Sequence, residues 1–463
     1  MNEEEDGEVA EEEADSLGSL PSASSSRASM APSKLIPRKS EKGKDSSADY
    51  SPISAADCFE DAFQVELQGQ GSWRVYLTPP KPIGSSGTPA PAASLKQDKA
   101  SAIRPKQGLA TTTSDAALAS LELPEVSSDE EEGSRPTEDP PRDPGTLFFF
   151  HHGAGFSALS FALAAREITR LTGGEAGVMA VDCRGHGRTS HPASVTLPLD
   201  MSVERLAQDC VEVLQALYPK AGQMPTLVLV GHSMGGSVVT SLCTALQSMP
   251  TPAKVAGVAV LDVVEGTAMD ALEGMKGIVL SHPKGFDSVA AGVRWHVDSG
   301  SIHNLDSARR SVPSLLVPNS SYTASTTSAQ PVEAEAIEEL AEEHDATISD
   351  RSIEDSSSYP FIWRADLLAT QQYWRGWFEG LSKRFLSART ARLLLLAGTD
   401  RLDKELMVGQ MQGKYQLTVF PDVGHCLQED APEKTAKLLV DFWRRNEVTP
   451  GKLGIGLKRV GDA

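Results

Sequence analysis

The chain has 463 residues and a formal net charge of −20, a balance that argues against nucleic acid as its main partner. Five widely spaced cysteines, none in a C-x-x-C pair, and an acidic N-terminus without a signal peptide predict free buried thiols in a reducing compartment. No apolar run approaches the roughly 18 residues that a membrane span needs, so no membrane partner is expected.

Much of the acidity lies in three segments that are not expected to fold. Residues 1–54 are rich in Glu, Ser, Ala and Lys; about 82–142 is Pro, Ser, Ala and acid, with D-E-E-E at 129–132; about 319–358 is Ser, Thr, Ala, Glu and Asp. None has enough apolar surface to offset its ordering entropy. A basic run in 33–44 (Lys34, Arg38, Lys39, Lys42, Lys44) reads either as a nuclear signal or, more plainly, as a solvated charged stretch. The ordered domain is expected over 55–446, with the two later segments as insertions and 447–463 as a tail.

Within 55–446, Cys58, Phe59 and Phe63 have an apolar rhythm, and 73–77 reads as a strand. After the first insertion, 146–150 is a second strand. It runs into His151-His152-Gly153-Ala154-Gly155-Phe156-Ser157 and then a helix over 158–171. The next strand, 178–181, ends in Asp182-Cys183-Arg184-Gly185-His186-Gly187, expected to brace neighbouring loops. Residues 202–217 form a helix capped by Ser202, with Leu206, Cys210, Val213, Leu214 and Leu217 on one stripe.

The organising stretch is T-L-V-L-V-G-H-S-M-G-G-S-V-V from Thr226. A buried strand, G-x-S-x-G and a helix with small residues at its start form the context of a nucleophile elbow. The glycines flanking Ser233 admit close backbone approach at a strained turn. Further strands follow at 255–261, 392–396 and 416–420, and a closing helix at 432–445. Alternating strands and helices predict a mostly parallel sheet covered by helices on both faces, with reactive groups at the carboxyl ends of the strands. With nucleophile, acid and histidine in that order, the predicted class is the α/β-hydrolase fold.

Ser233 is the expected nucleophile and His425, in Pro421-Asp422-Val423-Gly424-His425, the base. The amide of Met234 and one from the small-residue loop at Ala154 are the expected oxyanion donors. The acid is open between two strand ends. Asp400, with Asp403 close by, occupies the place usual for this fold; Asp262 lies one strand earlier. Position alone favours Asp400. The histidine pair 151–152 lacks the H-E-x-x-H spacing of a metal site, and no cofactor is expected. A lid is expected at about 265–390, between the sixth and seventh core strands. Its aromatics (Trp363, Tyr373, Trp374, Trp377, Phe378 and Phe385) read first as packing, and otherwise as the wall of a substrate groove.

The chain resembles the protein phosphatase methylesterase family. The matching stretches are H-G-A-G-F-S-A-L-S-F from His152, G-H-S-M-G-G from Gly231, D-V-V-E-G-T-A-M-D-A-L from Asp262, W-R-A-D-L from Trp363, Y-W-R-G-W-F-E-G-L-S from Tyr373, L-L-L-L-A-G-T-D-R-L-D-K from Leu393, G-Q-M-Q-G-K-Y-Q from Gly409 and G-H-C-L-Q-E-D-A-P from Gly424. The resemblance implies that Asp262, in D-V-V-E-G, is the acid, with Asp400 as runner-up. Ala154 stands where the family's oxyanion loop often has glycine; its amide still donates. The resemblance further implies a cytoplasmic and nuclear serine esterase without a cofactor, acting on the C-terminal leucine methyl ester of the protein phosphatase type 2A catalytic subunit. Competing readings are a generic carboxylesterase or lipase on the same fold, and a scaffold that inhibits the phosphatase by occupying it.

Overall fold

The computed structural model describes residues 48–81, 144–322 except 196 and 221, 358–398 and 402–447. Most of the residues of both expected insertions, and Asp400, lie outside these. An eight-stranded sheet runs in the order β1-β2-β4-β3-β5-β6-β9-β10. A hairpin, β1 (Asp61–Leu67) and β2 (Gly71–Thr78), forms its antiparallel edge. The others pair in parallel: β3 (Thr146–His151), β4 (Ala176–Val181), β5 (Thr226–His232), β6 (Val255–Leu261), β9 (Ala391–Ala397) and β10 (Gln416–Phe420). The short strands β7 (Leu316–Pro318) and β8 (Phe361–Trp363) pair apart from this sheet.

The strand side chains explain why helices cover both faces. In β3, Leu147 and Phe149 enter the core built with α2 (Val203–Leu217) and α3 (Met234–Gln247). Phe148 and Phe150 enter the opposite core, against α1 (Ala162–Thr172) and α11 (Pro432–Asn446). β5 and β9 divide the same way, Leu229 and Leu394 on one side, Val230 and Leu395 on the other. A run of apolar residues with no polar alternation is what a strand buried on both faces requires.

Between β6 and β9 lies a cap. It holds α4 (Glu265–Ser281), α5 (Val289–Asp298), α6 (Leu305–Ser311), α7 (Trp374–Phe378) and α8 (Leu381–Ser387), with a small core of its own around Val293, Ile302 and Val312. Beyond β9 come α9 (Lys404–Met411) and α10 (Leu427–Asp430). No helix among the described residues is long and apolar enough to cross a membrane.

Two differences from the sequence reading have plain causes. The edge strand β1 was foreshadowed only by apolar spacing, because its outer residues are exposed and just Val65 is buried. The described chain begins seven residues before Ala55, and Arg309 anchors this stretch. Its guanidinium donates to Ser51 O at 2.6 Å and to Asp49 at 2.7 Å, and its carbonyl accepts from Ile53 N. That partner is too distant in sequence for composition to reveal.

Candidate active site

The sheet reverses its build direction at β3. The chain passes from β3 to β4 on one side, then crosses to β5 on the other. The loops after β3 and β5 therefore emerge side by side, the crevice in which α/β sheets collect ligands. A Cβ placed on Gly153 would stand 3.1 Å from Ser233 Cβ, so the His152–Ser157 loop lies directly against the serine.

Ser233 has φ 53° and ψ −121° between β5 and α3. Its two glycines are there for space. A Cβ on Gly231 would be 2.1 Å from Gly235 O, and one on Gly235 would be 2.2 Å from His151 O. Ser233 N donates to Leu261 O at 2.9 Å, which ties the elbow to the end of β6. The next residue along that strand is Asp262, at φ 50°. Ser233 and Asp262 are the two non-glycine residues at positive φ among those described. Strain of this kind, costing of order 1–3 kcal/mol per residue, persists where the surroundings enforce it.

Asp262 is buried, and both carboxylate oxygens are used. Oδ1 accepts from Ala397 N at 2.6 Å, at the end of β9; Oδ2 meets His425 Nδ1 at 2.8 Å. His425 is part-exposed. Its carbonyl accepts from His232 Nε2 at 2.9 Å, and the two rings pack 4.7 Å apart. Burial first, and then the His425 charge, push His232 well below the usual histidine range. It therefore remains a neutral donor that fixes the His425 backbone. Asp430 Oδ2 accepts from Gly424 N at 2.8 Å, holding the same loop from the other side.

The loop after β3 is framed by buried histidines. His152 Nδ1 donates to Gly153 O at 2.8 Å and its Nε2 accepts from Cys183 N at 3.0 Å. His186 Nε2 accepts from Gly155 N at 2.9 Å. Burial lowers both imidazoles, and brings His151 down to about 4, so all three stay uncharged. The Asp182 segment braces the loop as its pattern suggested. Asp182 Oδ1 accepts from Ala158 N, and Arg184 makes a two-pronged buried bridge to Asp209, both bonds 2.6 Å. Gly155 N is thus spent on His186, whereas the amides of Ala154 and Met234 donate to no protein acceptor among the described residues. Two free N–H groups beside a strained serine, with an imidazole braced by a carboxylate, can perform acyl transfer.

Most cap aromatics are structural. Trp374, Trp377, Phe378 and Phe385 are buried in the core with α3, and Trp377 Nε1 donates to Met201 O. Trp363 packs in the cap's own core and donates to Pro283 O. Leu367 of the cap lies over the His152–Ser157 loop, 3.1 Å from where a Gly155 Cβ would be. A hollow of about 640 Å³ between α8 and α9 contains none of the candidate residues. Sequence reasoning passed over His232, His186 and Asp430. Their signal is a polar residue inside or just beside a motif that the fold buries.

A model of the α/β hydrolase family matches residues 148–438. Protein phosphatase methylesterase 1 of Cryptococcus neoformans var. neoformans serotype D is 38% identical over 418 residues, 89% of this chain and 83% of that protein. The chain belongs to the protein phosphatase methylesterase family. The Aspergillus fumigatus protein phosphatase methylesterase 1 is 46% identical over 312 residues, 66% of each chain. Among solved structures, E-2-(acetamidomethylene)succinate hydrolase overlays with a TM-score of 0.45 at 18% identity, over 64% of this chain and 91% of that one. As a member of this family the protein is a methylesterase of the α/β-hydrolase class, a carboxylic ester hydrolase.

Proposed function

We propose that this methylesterase removes the methyl ester from the C-terminal leucine of the protein phosphatase type 2A catalytic subunit through a Ser233-His425-Asp262 triad. The observation that carries the reading is the 2.8 Å contact between Asp262 and His425, made where the elbow presents Ser233. Ser233 Oγ attacks the ester carbonyl while His425 Nε2 takes its proton. Asp262 holds the imidazole in the Nδ1–H tautomer and stabilises its charged form. The amides of Met234 and Ala154 receive the oxyanion. Collapse breaks the C–O bond to methoxide, which leaves as methanol with the proton from His425. Water, deprotonated by His425, then cleaves the acyl-enzyme, and the free carboxylate departs. The relatives' names support a protein phosphatase as substrate; the motif resemblance supports the type 2A catalytic subunit and action in cytoplasm and nucleus, which imaging of the tagged full chain tests.

The deciding assay is release of methanol from carboxymethylated phosphatase catalytic subunit. Wild type should demethylate it, and Ser233→Ala should be slower by about 10⁴-fold or more. Wild type that leaves the protein ester intact yet hydrolyses small esters would replace this reading with a generic carboxylesterase.

A further inference from the structure

We propose that Glu429 is a positioning residue that couples the His425 loop to the loop carrying Ala154 through a buried chain of serine hydroxyls, and so sets the distance between base and oxyanion donors. This rests on the roles given above to His425 and Ala154.

Glu429 is fully buried on α10, four residues after His425, and its own N–H donates to Cys426 O at 2.8 Å. Its Oε2 accepts from Ser307 Oγ at 2.9 Å and Ser311 Oγ at 2.6 Å, both on α6 of the cap. Ser314 Oγ donates to Ser311 O at 2.6 Å. Ser314 Oγ also lies 2.6 Å from Ser157 Oγ. Its single proton is already committed, so Ser157 must be the donor in that pair. Ser157 belongs to the His152–Ser157 loop and caps the turn that follows it. Each hydroxyl proton thus points one way, from the oxyanion loop through the cap segment 307–314 to the carboxyl beside His425. Asp430 adds a second tie to the same segment, accepting from His303 N at 2.7 Å while holding Gly424 N. The base and the oxyanion loop are therefore spaced by a part of the cap that touches neither reacting atom.

The carboxyl makes this coupling pH-dependent. Burial, with Asp430 adding to it, pushes Glu429 up to about 8, against the pull of the two serine hydroxyls. No cation among the described residues pairs with it; His303 Nδ1 lies 3.0 Å from the neighbouring Asp430 Oδ2 and not against Glu429. On its own helix stands Asp430; the Cys426 thiol is pushed far up by burial and stays neutral. From α6 come only Ser307 and Ser311, since Arg310 pairs with Asp306 and Asp57, and Arg309 with Asp49. On α1, Arg166 pairs with Asp57 and Arg170 with Glu167; on α11, Glu433 and Lys434 are exposed. The folded state holds the proton more tightly than the unfolded chain. Its contribution to stability is therefore full below about 4.5, the ordinary value, and is lost as pH rises through about 8. Ionisation places an unpaired charge in the joint and loosens it.

The test compares wild type, Glu429→Gln, Glu429→Ala, Ser311→Ala, Ser314→Ala and Ser233→Ala across pH 6–9.5, by steady-state ester hydrolysis and by the rate at which a fluorophosphonate labels the serine. Glu429→Ala removes the acceptor of both serine hydroxyls and should lower kcat roughly 10- to 100-fold through misplacement of the base, with KM within about twofold. Glu429→Gln stands in for the protonated carboxyl, so it should keep kcat within a few-fold of wild type at pH 6–7 and lack the decline expected of wild type above pH 8. Ser311→Ala and Ser314→Ala should lower kcat by a few-fold and keep that decline. A Glu429→Ala enzyme with wild-type kcat, or a Glu429→Gln enzyme with the alkaline decline intact, overturns the inference. Should Glu429→Ala not fold, unchanged kcat in both serine variants overturns it, and lowered kcat in both upholds it. Labelling lost in Ser233→Ala but unchanged in Glu429→Ala sinks the positioning role alone; labelling retained in Ser233→Ala sinks the triad and the inference together.

Discussion

The elbow and the outer cap helices α4 and α6 are held by different means. From Thr226 to Thr240 every residue but Ser233 is buried, and the contacts that matter are backbone against backbone, at glycines two residues from the serine. In the 17-residue α4 of the cap, Ala271 alone is buried. Beside the aromatics that α7 and α8 bury against α3, the cap is fastened by polar ties: Glu265 accepts from Gly380 N at 2.7 Å and Ser382 N at 2.9 Å, Glu429 from α6, and Asp430 from His303. Dispersion and steric exclusion fix the elbow to fractions of an ångström. Hydrogen bonds at a few points locate the cap while leaving its helices replaceable in detail.

Substitutions can break this contrast or sharpen it. The largest effect is expected at the junction of elbow and base. Asp262→Asn keeps the shape but favours the wrong imidazole tautomer, so kcat for the methyl ester should fall by about 10⁴-fold with the melting temperature little changed. Within the elbow, Gly235→Ala must push against His151 O at 2.2 Å. A loss of about 3 kcal/mol or more in urea unfolding is expected, because backbone cannot swing aside. A variant that unfolds at the wild-type midpoint would show the elbow to be softer than its contacts imply. The smallest effect belongs to the cap. Gly274 sits inside α4, and a Cβ added there would meet nothing within 4 Å. Gly274→Ala should raise stability by about 0.5–1 kcal/mol through helix propensity, with turnover of the ester within twofold. A large drop in turnover would mean that this face of α4 meets the substrate.

The legible parts of the sequence share a physical trait. Each is fixed by neighbours within a few residues. The G-x-S-x-G spacing requires the elbow because two Cβ atoms would collide with backbone close by, and Phe148 to Phe150 require a two-faced strand because no position is polar. Arg309, Glu265 and Glu429 were not legible as ties, because each reaches a partner about a hundred or more residues away, and a charged residue in a sequence reads first as surface. The edge strand β1 lay between the two cases: the rhythm of Cys58, Phe59 and Phe63 was visible, but the strand itself is half-covered, with Val65 its one buried residue.

By itself the sequence determined the hydrolase order of strands and helices, the strained serine at 233 and the histidine at 425, since these depend on local sterics and on apolar periodicity. The motif resemblance tipped the choice of acid toward Asp262, while position along the chain pointed to Asp400. Only the tertiary structure brought Asp262 to His425 across 163 residues. That contact exists because β6 lies beside β9 and β9 beside β10. The end of β9 then clamps one carboxylate oxygen through Ala397 N, and the loop after β10 lowers the imidazole onto the other. Which strand ends become neighbours is a property of the assembled sheet, and no stretch of the chain states it alone.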